Sequence, residues 1–498
     1  MTAPEGDAMS YQLLPYNQSL ALLTDLYQLT MAYGYWKSGM DKQESVFHLY
    51  FRKNPFGGGF TVAAGLEYLL DYVANFRIDE SDLVYLASLT GNDGKPMFEQ
   101  GFIDYLRDLE LTCDIHAVPE GTVVFPNEPL VRVKGPLLQA QLLETALLNI
   151  VNFQTLIATK AARVCLAAQG EPVLEFGLRR AQGIDGGLSA TRASYIGGVA
   201  ATSNVMAGKV FGIPVKGTHA HSWVMAFDNE TEAFRTYAEA MPNNCVFLVD
   251  TYNTVEGVKH AVEVGKELRE RGYEMVGVRL DSGDLAYLSQ EARRILDEGG
   301  FSNASIVASN DLNEHLIESL KRQDAKINVW GVGTQLATAF DQPALGGVYK
   351  LAALKDSDGT WDYKIKLSEQ TIKVSNPGIL QVRRFSQDGQ HLDDMIYDIE
   401  MGVPAEAVIV DPVDITRRKR ITAGMTHQDL LVPVFEAGRR VYDPPSIHEI
   451  RDSVQANLAA FHAGIKRFEN PHAYPAGLEK GLFDLKMAMI LGAKGVPA

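Results

Sequence analysis

The chain has 498 residues, of which 46% are hydrophobic and 22% are charged. This composition is typical of a globular protein with a large core, and the length predicts about three domains. The 46 basic and 62 acidic residues give a formal net charge of -16, which argues against nucleic acid or an anionic membrane as the main partner. The three cysteines are widely spaced and match neither a disulfide framework nor a metal-ligand pattern.

Residues 1–16 form an acidic and polar tail that lacks the basic flank and apolar stretch of a secretory signal, so we expect a cytoplasmic protein. The longest Leu- and Ala-rich stretch, 137–168, is interrupted by Glu144 and Lys160 and cannot supply the ~20 apolar residues of a membrane span. This stretch is interpreted as one or two buried amphipathic helices.

Residues 17–145 are typical of a mixed α+β domain. Thr24 is a candidate N-cap for a helix that continues toward Gly39, a residue type that commonly ends helices. The segment ESVFHLYFRKNP, 44–55, alternates apolar and polar residues and predicts a half-buried strand. Similar patterns predict helices over 65–110 and further strands over 112–136.

Residues 146–350 alternate short apolar strands with helical patterns, and the clearest helices are expected over 254–271 and 284–298. Such alternation predicts a parallel sheet, either open or closed into a barrel. The strands are expected at 173–176, 210–215, 246–249, 275–279, 305–308 and 327–332.

A polar segment follows each of these six strands. The segments are, in chain order, FGLRRAQGIDGG, KGTHAHSW, DTYNT, RLDSGD, SNDLNE and GVGTQ. Because ligand sites of parallel α/β folds collect at the carboxyl ends of the strands, the six segments predict one active site.

Residues 351–498 lose this alternation. The segments KLSEQTIKVSNPG and QVRRFSQDGQHLDDMIYD are interpreted as hairpins, strands are expected over 402–440, and the C-terminal end has a helical pattern. The basic run 417–420 is interpreted as a solvated face, because the whole chain is acidic.

The segment KGTHAHS contains Lys216, Thr218, His219 and His221. The two histidines are open to several interpretations: metal ligands, a base or nucleophile, or a structural histidine whose hydrogen bonds are satisfied. Lys216 is a candidate for forming a Schiff base. The pattern alone does not decide among them.

The segment RLDSGD places Arg279, Asp281 and Asp284 at one strand end. Arginine offers a planar fork for an anion, and carboxylates beside a phosphate site hold magnesium or ribose hydroxyls. The alternative is an internal Arg–Asp ion pair with Asp284 as a helix N-cap, and both interpretations can hold together. No complete P-loop is present, and the fragment GVGT is weak evidence for a phosphate site on its own.

The motifs TDLYQLTMAYGYW, FHLYFRKNPFGGGFTVAAGLEYL, EFGLRRAQGIDGG, GTHAHSW, VDTYNT, RLDSGD, GVGTQLAT and ALGGVYKL, in this order, resemble the nicotinate phosphoribosyltransferase family over about residues 17 to 490. The resemblance implies an α/β fold with an irregular, type II phosphoribosyltransferase barrel, a mixed α+β N-terminal domain and a C-terminal extension. It implies that nicotinate, phosphoribosyl pyrophosphate and ATP give nicotinate mononucleotide in NAD salvage. It also implies that magnesium accompanies the pyrophosphate and that ATP hydrolysis is coupled through a phosphohistidine.

The resemblance also implies roles for individual residues. His221 matches the phosphorylated position, although His219 stays open as an alternative. Thr218 and Arg279 are expected to contact the nicotinate carboxylate, and Tyr27 is expected to stack on the pyridine ring. The family builds its site from two subunits, so the resemblance implies a homodimer in which Tyr27 acts in trans.

The remaining expected contacts lie along the phosphoribosyl group. Asp281 is expected to face ribose or magnesium, whose ligands are otherwise unassigned. The residues expected along the ribose and phosphates are Arg179, Asn310, Gly333 and Thr334.

Two other enzyme activities are weighed against this one. A nicotinamide phosphoribosyltransferase would bind a neutral amide where nicotinate has a carboxylate, and Arg279 favours the carboxylate. An aldolase-like barrel would use Lys216 as a Schiff base. A non-enzymatic binding protein on the same fold is disfavoured, because the reactive side chains expected of the site are all present.

Overall fold

The computed structural model describes residues 19–370, 373–422 and 424–495. The chain divides into two compact units. The central unit is Ile157–Pro343, and the flanking unit combines Met1–Leu156 with Ala344–Ala498. The predicted tail 1–16 lies outside the described residues, and the other predicted domain boundaries stay predictions.

The described residues form the following helices and strands. The helices are α1 Leu26–Ser38, α2 Leu66–Ala74, α3 Glu80–Ser88, α4 Gln100–Arg107, α5 Leu137–Leu142, α6 Glu144–Ala168, α7 Gly183–Ile196, α8 Val205–Phe211, α9 His221–Met225, α10 Glu230–Ala240, α11 Thr254–Glu270, α12 Leu285–Glu298, α13 Glu314–Arg322, α14 Thr334–Ala337, α15 Ile447–Ala459 and α16 Lys480–Ala493. The strands are β1 Glu44–Tyr50, β2 Thr61–Val62, β3 Asp114–Ala117, β4 Val123–Val124, β5 Val131–Pro136, β6 Val173–Glu175, β7 Ala201–Thr202, β8 Val246–Leu248, β9 Gly277–Leu280, β10 Ser305–Ala308, β11 Val329–Val332, β12 Val348–Lys355, β13 Trp361–Tyr363, β14 Leu380–Gln387, β15 Gln390–Asp398, β16 Val408–Val410, β17 Arg418–Arg420, β18 Thr426–Asp429, β19 Val432–Glu436, β20 Arg439–Arg440 and β21 Ala476–Glu479.

The flanking unit contains two large sheets. Seven antiparallel strands pair in the order β13-β12-β1-β5-β3-β19-β20, and six strands pair in the order β17-β16-β21-β15-β14-β18. The helices predicted over 65–110 are α2, α3 and α4, and the strands predicted over 112–136 are β3, β4 and β5. The predicted helices and strands are both confirmed.

Strand β1 is buried on both faces, so the prediction of a half-buried strand is wrong. The polar residues of its alternating pattern form hydrogen bonds inside the protein. The Ser45 hydroxyl donates to the Gly135 carbonyl, and His48 Nε2 accepts the Leu380 N–H at 3.1 Å. The alternating pattern therefore did not indicate a solvent-exposed face here, because the polar side chains have hydrogen-bond partners in the core.

Helix α1 begins after Asp25, so the prediction of Thr24 as its N-cap is wrong by one residue. Asp25 has extended backbone dihedral angles and its carboxylate accepts a hydrogen bond from the Thr145 hydroxyl. The predicted end is confirmed, since Gly39 has a φ of 71° that suits glycine. The stretch 137–168 forms two helices, α5 and α6, as predicted.

The central unit is built on six parallel strands in the order β7-β6-β11-β10-β9-β8. The parallel sheet is confirmed. Five of the six predicted strands are present as β6, β8, β9, β10 and β11, and the predicted helices correspond to α11 and α12.

The strand predicted over 210–215 is wrong. Helix α8 occupies the first part of this segment, because Asn204 caps its start by accepting the Ala207 N–H and Gly212, with a φ of 71°, ends it. Val215 alone pairs with a strand, through an isolated parallel bridge to Thr202. The segment KGTHAHSW thus begins directly after this bridge.

The C-terminal part of the flanking unit contains the predicted hairpin formed by β14 and β15, and β16–β20 confirm the strands expected over 402–440. The other predicted hairpin, 366–378, has no strand among its described residues. Its ends meet through two hydrogen bonds: the Lys366 N–H donates to the Ser375 hydroxyl and the Ser375 N–H to the Lys366 carbonyl. The predicted C-terminal helices are α15 and α16.

The basic run 417–420 lies mostly on the exposed edge strand β17, and each side chain has a local partner. Lys419 Nζ is 2.7 Å from Asp393, Arg417 is 3.2 Å from Asp414, and Arg418 Nε donates to the Ile415 carbonyl. This agrees with a solvated face, and charges of this kind protect an edge strand from pairing with other chains. Within the described residues, no helix is both long enough and apolar enough to span a bilayer.

The hydrogen bond from Leu380 to His48 makes stability depend on pH. Burial and, to a smaller extent, the charge of Arg132 lower the pKa of His48 to about 3. The unfolded chain therefore binds more protons than the folded chain between pH 6.5 and 3, so stability is full above pH 6.5 and declines below it. His48→Gln should reduce the loss of unfolding free energy between pH 7.5 and 5.5 by about 1.4 kcal/mol, measured by urea denaturation.

The exposed residue His472 supplies the control, since His472→Gln should keep the wild-type pH dependence. Equal pH dependence in His48→Gln and the wild type would contradict the assignment of His48 as a neutral acceptor.

Candidate active site

A cavity of about 360 Å³ lies at the carboxyl edge of the central sheet. Five of the residues expected at the site line it, namely Arg179, Thr218, His221, Arg279 and Asp281. The other lining residues are Phe176, Leu178, Ser203, Gly217, His219, Ala220 and Leu248. The structure therefore brings together the segments that follow β6, the Val215 bridge and β9, as strand polarity predicts.

Arg279, on β9, is held by side chains from three segments. Its Nη1 donates to Thr218 Oγ1 at 3.0 Å, its Nη2 to Asp281 Oδ1 at 2.8 Å and its Nε to Ser309 Oγ at 2.9 Å. The ring of Phe176 lies 5.6 Å from the guanidinium carbon. Because a guanidinium has five N–H donors, two remain for a ligand in the cavity.

The carboxylate of Asp281 is kept ionised. Burial raises the pKa of Asp281, but the hydrogen bond donated by Ser309 and the charge of Arg279 outweigh burial, so the pKa lies below its ordinary value. The internal Arg–Asp ion pair considered from the sequence is present, and Asp284 caps α12 by accepting the N–H groups of Ala286 and Tyr287. The ion pair and the N-cap are thus confirmed, whereas the predicted contacts of RLDSGD with an anion, with magnesium or with ribose stay predictions.

His221 is the first residue of α9, and its side chain is 40% exposed. Its Nδ1 lies 3.1 Å from the hydroxyl oxygen of Thr251. Its Nε2 lies 3.9 Å from Asp250 Oδ1 and 3.8 Å from Asp281 Oδ2. One ring nitrogen is thus oriented by a hydroxyl while the other faces two carboxylates, an arrangement suited to a nucleophilic or basic imidazole.

Asp250, which follows β8, was not assigned a role from the sequence. Its side chain is 1% exposed, and its Oδ2 accepts hydrogen bonds from the Asp281 N–H and the Ser282 hydroxyl. Its Oδ1 is buried without a hydrogen-bond partner among the described residues, and it is the Asp250 atom that faces His221 Nε2 at 3.9 Å. A buried carboxylate oxygen of this kind needs a proton or a cation from a ligand or from His221.

His219 has a different environment from His221. It is 7% exposed, and its Nε2 accepts the Leu248 N–H at 3.2 Å. Burial lowers the pKa of His219 to about 4. Of the interpretations open from the sequence, a structural histidine with satisfied hydrogen bonds fits His219, and a reactive histidine fits His221.

Glu175, at the end of β6, orders the loops beside the cavity and was also missed. Its Oε1 accepts the Gly177 N–H, and its Oε2 accepts the hydroxyls of Thr191 at 3.0 Å and Thr202 at 2.7 Å. A Cβ at Gly177 would lie 2.3 Å from the Cβ of Ala337, so glycine allows the loops after β6 and β11 to pack together. The carboxylate therefore fixes the turn that carries Arg179.

The remaining predicted residues of the central unit lie at the same sheet edge but outside the set that lines the cavity. Asn310 follows β10 with a φ of 93°, a strained conformation that is often found at functional sites. Gly333 precedes α14 and Thr334 begins it, as expected for GVGT. Lys216 also lies outside the lining set, and its N–H donates to the Thr202 carbonyl.

Tyr27 belongs to the flanking unit. It lies on α1 and is 48% exposed, beside the exposed side chains of Leu26 and Met31. The neighbouring residue Gln28 is buried and donates to the carboxylate of Glu144 at 2.9 Å. The helix is thus anchored through Gln28 while Tyr27 remains accessible.

Comparisons with known proteins agree with these features. Three family models match the chain: the nicotinate phosphoribosyltransferase (NAPRTase) N-terminal domain over residues 22–152, the nicotinate phosphoribosyltransferase (NAPRTase) family over 173–363 and the nicotinate phosphoribosyltransferase C-terminal domain over 381–486. Nicotinate phosphoribosyltransferase of Bacillus subtilis is 46% identical over 479 residues, which cover 95% of this chain and 96% of the relative.

A second relative and a solved structure extend the match. Nicotinate phosphoribosyltransferase of Dictyostelium discoideum is 40% identical over 522 residues, covering 93% of this chain and 87% of the relative. The crystal structure of human nicotinic acid phosphoribosyltransferase superposes with a TM-score of 0.82 at 33% identity, covering 94% of this chain and 99% of the human chain. On these matches, the chain belongs to the nicotinate phosphoribosyltransferase family.

Proposed function

We propose that this protein catalyses the ATP-dependent synthesis of nicotinate mononucleotide. Nicotinate, phosphoribosyl pyrophosphate, ATP and water give nicotinate mononucleotide, pyrophosphate, ADP and phosphate, a ligase-type reaction of NAD salvage in the cytoplasm. The observation that carries the proposal is the fixed fork of Arg279, which offers two N–H groups to a cavity that also contains His221.

Nicotinate recognition rests on Arg279 and Thr218. A guanidinium whose other donors are already bonded keeps its orientation, so it binds a planar carboxylate with little loss of conformational entropy. The Thr218 hydroxyl accepts from Arg279 and lines the same cavity, where it adds a polar contact. Phe176 offers an aromatic face beside the fork.

The phosphoribosyl group lies along the sheet edge in this proposal. Arg179, Asn310, Gly333 and Thr334 contact its ribose and phosphates, and Asp281 faces the ribose or the magnesium that arrives with the pyrophosphate. A carboxylate held ionised is a suitable oxygen ligand for such a hard cation. The pyridine nitrogen displaces pyrophosphate through an oxocarbenium-like state, so the side chains mainly align the two substrates and neutralise the leaving group.

The coupling to ATP uses His221. A neutral ring nitrogen attacks the γ-phosphorus of ATP, the bond to ADP breaks, and water later cleaves the phosphorus–nitrogen bond to release phosphate. The 3.1 Å contact between Nδ1 and Thr251 supports a fixed ring orientation, and the nearby Asp250 Oδ1 supports stabilisation of the positive charge that the ring acquires.

The proposal includes an irregular barrel. The six parallel strands end at β8, and the segment that pairs with β7 through Val215 also reaches β8 through the bond between His219 and Leu248. Contacts of one segment with both edge strands support closure of the sheet.

The proposed function also includes a homodimer, in which Tyr27 of one subunit stacks on the pyridine ring bound by the other subunit. Exposed large apolar side chains cluster on one helix, at Leu26, Tyr27 and Met31. Such a patch supports a surface that another protein covers.

The two alternative activities differ in what the structure offers them. A nicotinamide phosphoribosyltransferase would use a carboxylate near Arg279 to bind the amide, and Asp281 does approach Arg279. Asp281 Oδ1 already accepts hydrogen bonds from Arg279 and Ser309, so it has less capacity to accept one from the amide of nicotinamide. The Schiff-base mechanism requires Lys216 in the cavity, and Lys216 is not among its lining residues. We therefore expect no borohydride trapping.

The central test is a product assay with and without ATP, on the wild type and on His221→Ala. The wild type should form nicotinate mononucleotide faster with ATP. His221→Ala should lose ATP hydrolysis and acid-labile phosphate incorporation, raise the KM for phosphoribosyl pyrophosphate and keep some ATP-independent synthesis. The exposed histidine of α13 provides the control, His315→Ala; unchanged phosphate incorporation in His221→Ala would shift the assignment to His219.

Subunit complementation tests the trans role of Tyr27. Tyr27→Ala and Arg279→Ala should each be inactive, and mixing them under conditions of subunit exchange should restore part of the activity, because one of the two sites in a mixed dimer is intact. Sedimentation supplies the second measurement. A fully active monomer would rule out the shared site.

Arg279 should set the preference for the acid over the amide. Charge-assisted hydrogen bonds to the carboxylate are worth about 1.5–3 kcal/mol each, whereas nicotinamide leaves part of the guanidinium unpaired. Arg279→Gln should reduce the preference for nicotinate, measured as the ratio of kcat/KM values, by roughly 10–100-fold and mostly through KM. Equal losses for nicotinate and nicotinamide would instead assign Arg279 to the phosphoribosyl group or to the fold.

A further inference from the structure

We propose that His219 is a positioning residue whose neutral imidazole holds the His221 segment against the edge strand β8. This inference rests on the proposed role of His221 in ATP hydrolysis. It assigns to His219 no contact with substrate. Its function is to set the distance between His221 and the side chains that follow β8.

The bond between His219 and Leu248 lies at the edge of the central sheet. β8 is the terminal strand of the central sheet, so one of its two sides has no strand partner among the described strands. The Leu248 N–H nevertheless has an acceptor, because His219 Nε2 lies 3.2 Å away. The imidazole supplies the acceptor that a neighbouring strand would otherwise supply.

The ring is immobilised by aromatic neighbours. Its centroid lies 4.9 Å from that of Tyr237 in a T-shaped arrangement and 5.9 Å from that of Phe234, both on α10. Phe247 of β8 is 6.5 Å away. With 7% of its surface exposed, His219 has little freedom to rotate away from Leu248.

The hydrogen bond defines a protonation state. Because Nε2 accepts an N–H, the proton of the neutral ring must be on Nδ1, which lies 3.4 Å from the Ala220 carbonyl oxygen. Protonation of Nε2 would place two N–H donors against each other. The titratable or charged groups that face the ring are Tyr237, Arg279 and His221, and burial together with the Arg279 guanidinium keeps the ring neutral.

The consequence for the site follows from the spacing along both segments. His221 is two residues beyond His219, and Asp250 is two residues beyond Leu248. The bond between His219 and Leu248 therefore joins the two segments two residues before His221, which faces Thr251 at 3.1 Å and Asp250 at 3.9 Å. Loss of the bond should let the two segments separate at the reacting imidazole.

Two variants separate the hydrogen bond from packing. His219→Leu keeps an apolar side chain of moderate size but leaves the Leu248 N–H without an acceptor, and it should lower kcat for ATP hydrolysis by about ten-fold with less change in the KM for nicotinate. His219→Gln retains a side-chain acceptor and should recover most of that loss. His315→Leu, on the exposed face of α13, should behave as the wild type. Equal kcat values for His219→Leu and the wild type would overturn the proposal.

Nitrogen-15 NMR of histidine-labelled protein tests the same inference without catalysis. The His219 signals, identified by their absence in His219→Gln, should correspond to a ring protonated on Nδ1 alone and should stay constant from pH 8 to 5.5. The ring signals of His221 should move in His219→Leu and return toward the wild-type positions in His219→Gln.

A proton on Nε2 of His219, titration of His219 near pH 6.5, or unmoved His221 signals in His219→Leu would each overturn the positioning role. Failure of the wild type to hydrolyse ATP, with the NMR results as expected, would contradict the proposed function instead and leave the structural assignment of His219 in place.

Discussion

The guanidinium of Arg279 is the interaction on which the geometry of the cavity depends. It bonds to Thr218 beyond the Val215 bridge, to Asp281 beyond its own strand and to Ser309 beyond β10. One planar group thereby fixes three loops relative to one another, and each loop satisfies a donor that would be costly to leave unpaired. The remaining N–H groups then face the cavity with a defined direction.

The same principle recurs in the second layer of the site. Asp250 joins the loop after β8 to the loop after β9, and Glu175 joins the turn after β6 to Thr191 and Thr202. These carboxylates are nearly inaccessible to solvent, with Asp250 and Glu175 each 1% exposed. Buried polar networks of this kind order loops that would otherwise be mobile, because every unsatisfied member raises the free energy of the folded state.

Much of the central unit could be predicted because strands buried in a parallel sheet are continuous apolar runs. That rule failed at 210–215, where an equally apolar run contains the end of helix α8 and the decisive signal was the cap at Asn204. The rule also could not show which residues of the polar segments take part in the site. The segment DTYNT was recognised as part of the site, but only tertiary contacts identify Asp250 as the carboxylate that faces His221.

The flanking unit shows the converse limit. The alternating pattern of β1 predicted a solvent-exposed face, whereas the polar atoms of His48 and Ser45 form hydrogen bonds inside the protein. Hydrophobic periodicity indicates which apolar residues are buried. It does not indicate which polar residues are buried with a hydrogen-bond partner in the core. Both buried histidines, His48 and His219, illustrate this, since each accepts a backbone N–H that no strand satisfies.

The charge of the chain sets a final constraint on how the proposed substrates bind. A protein with a formal net charge of -16 repels phosphates at long range, and Asp250 and Asp281 add two carboxylates beside the cavity. Within the lining set, the permanent positive charges are those of Arg179 and Arg279, and Asp281 already neutralises part of the latter. A pyrophosphate that arrives bound to magnesium carries less negative charge than the free anion. For the proposed reaction, the balance of charges therefore favours the magnesium complex of phosphoribosyl pyrophosphate over the free anion as the substrate form.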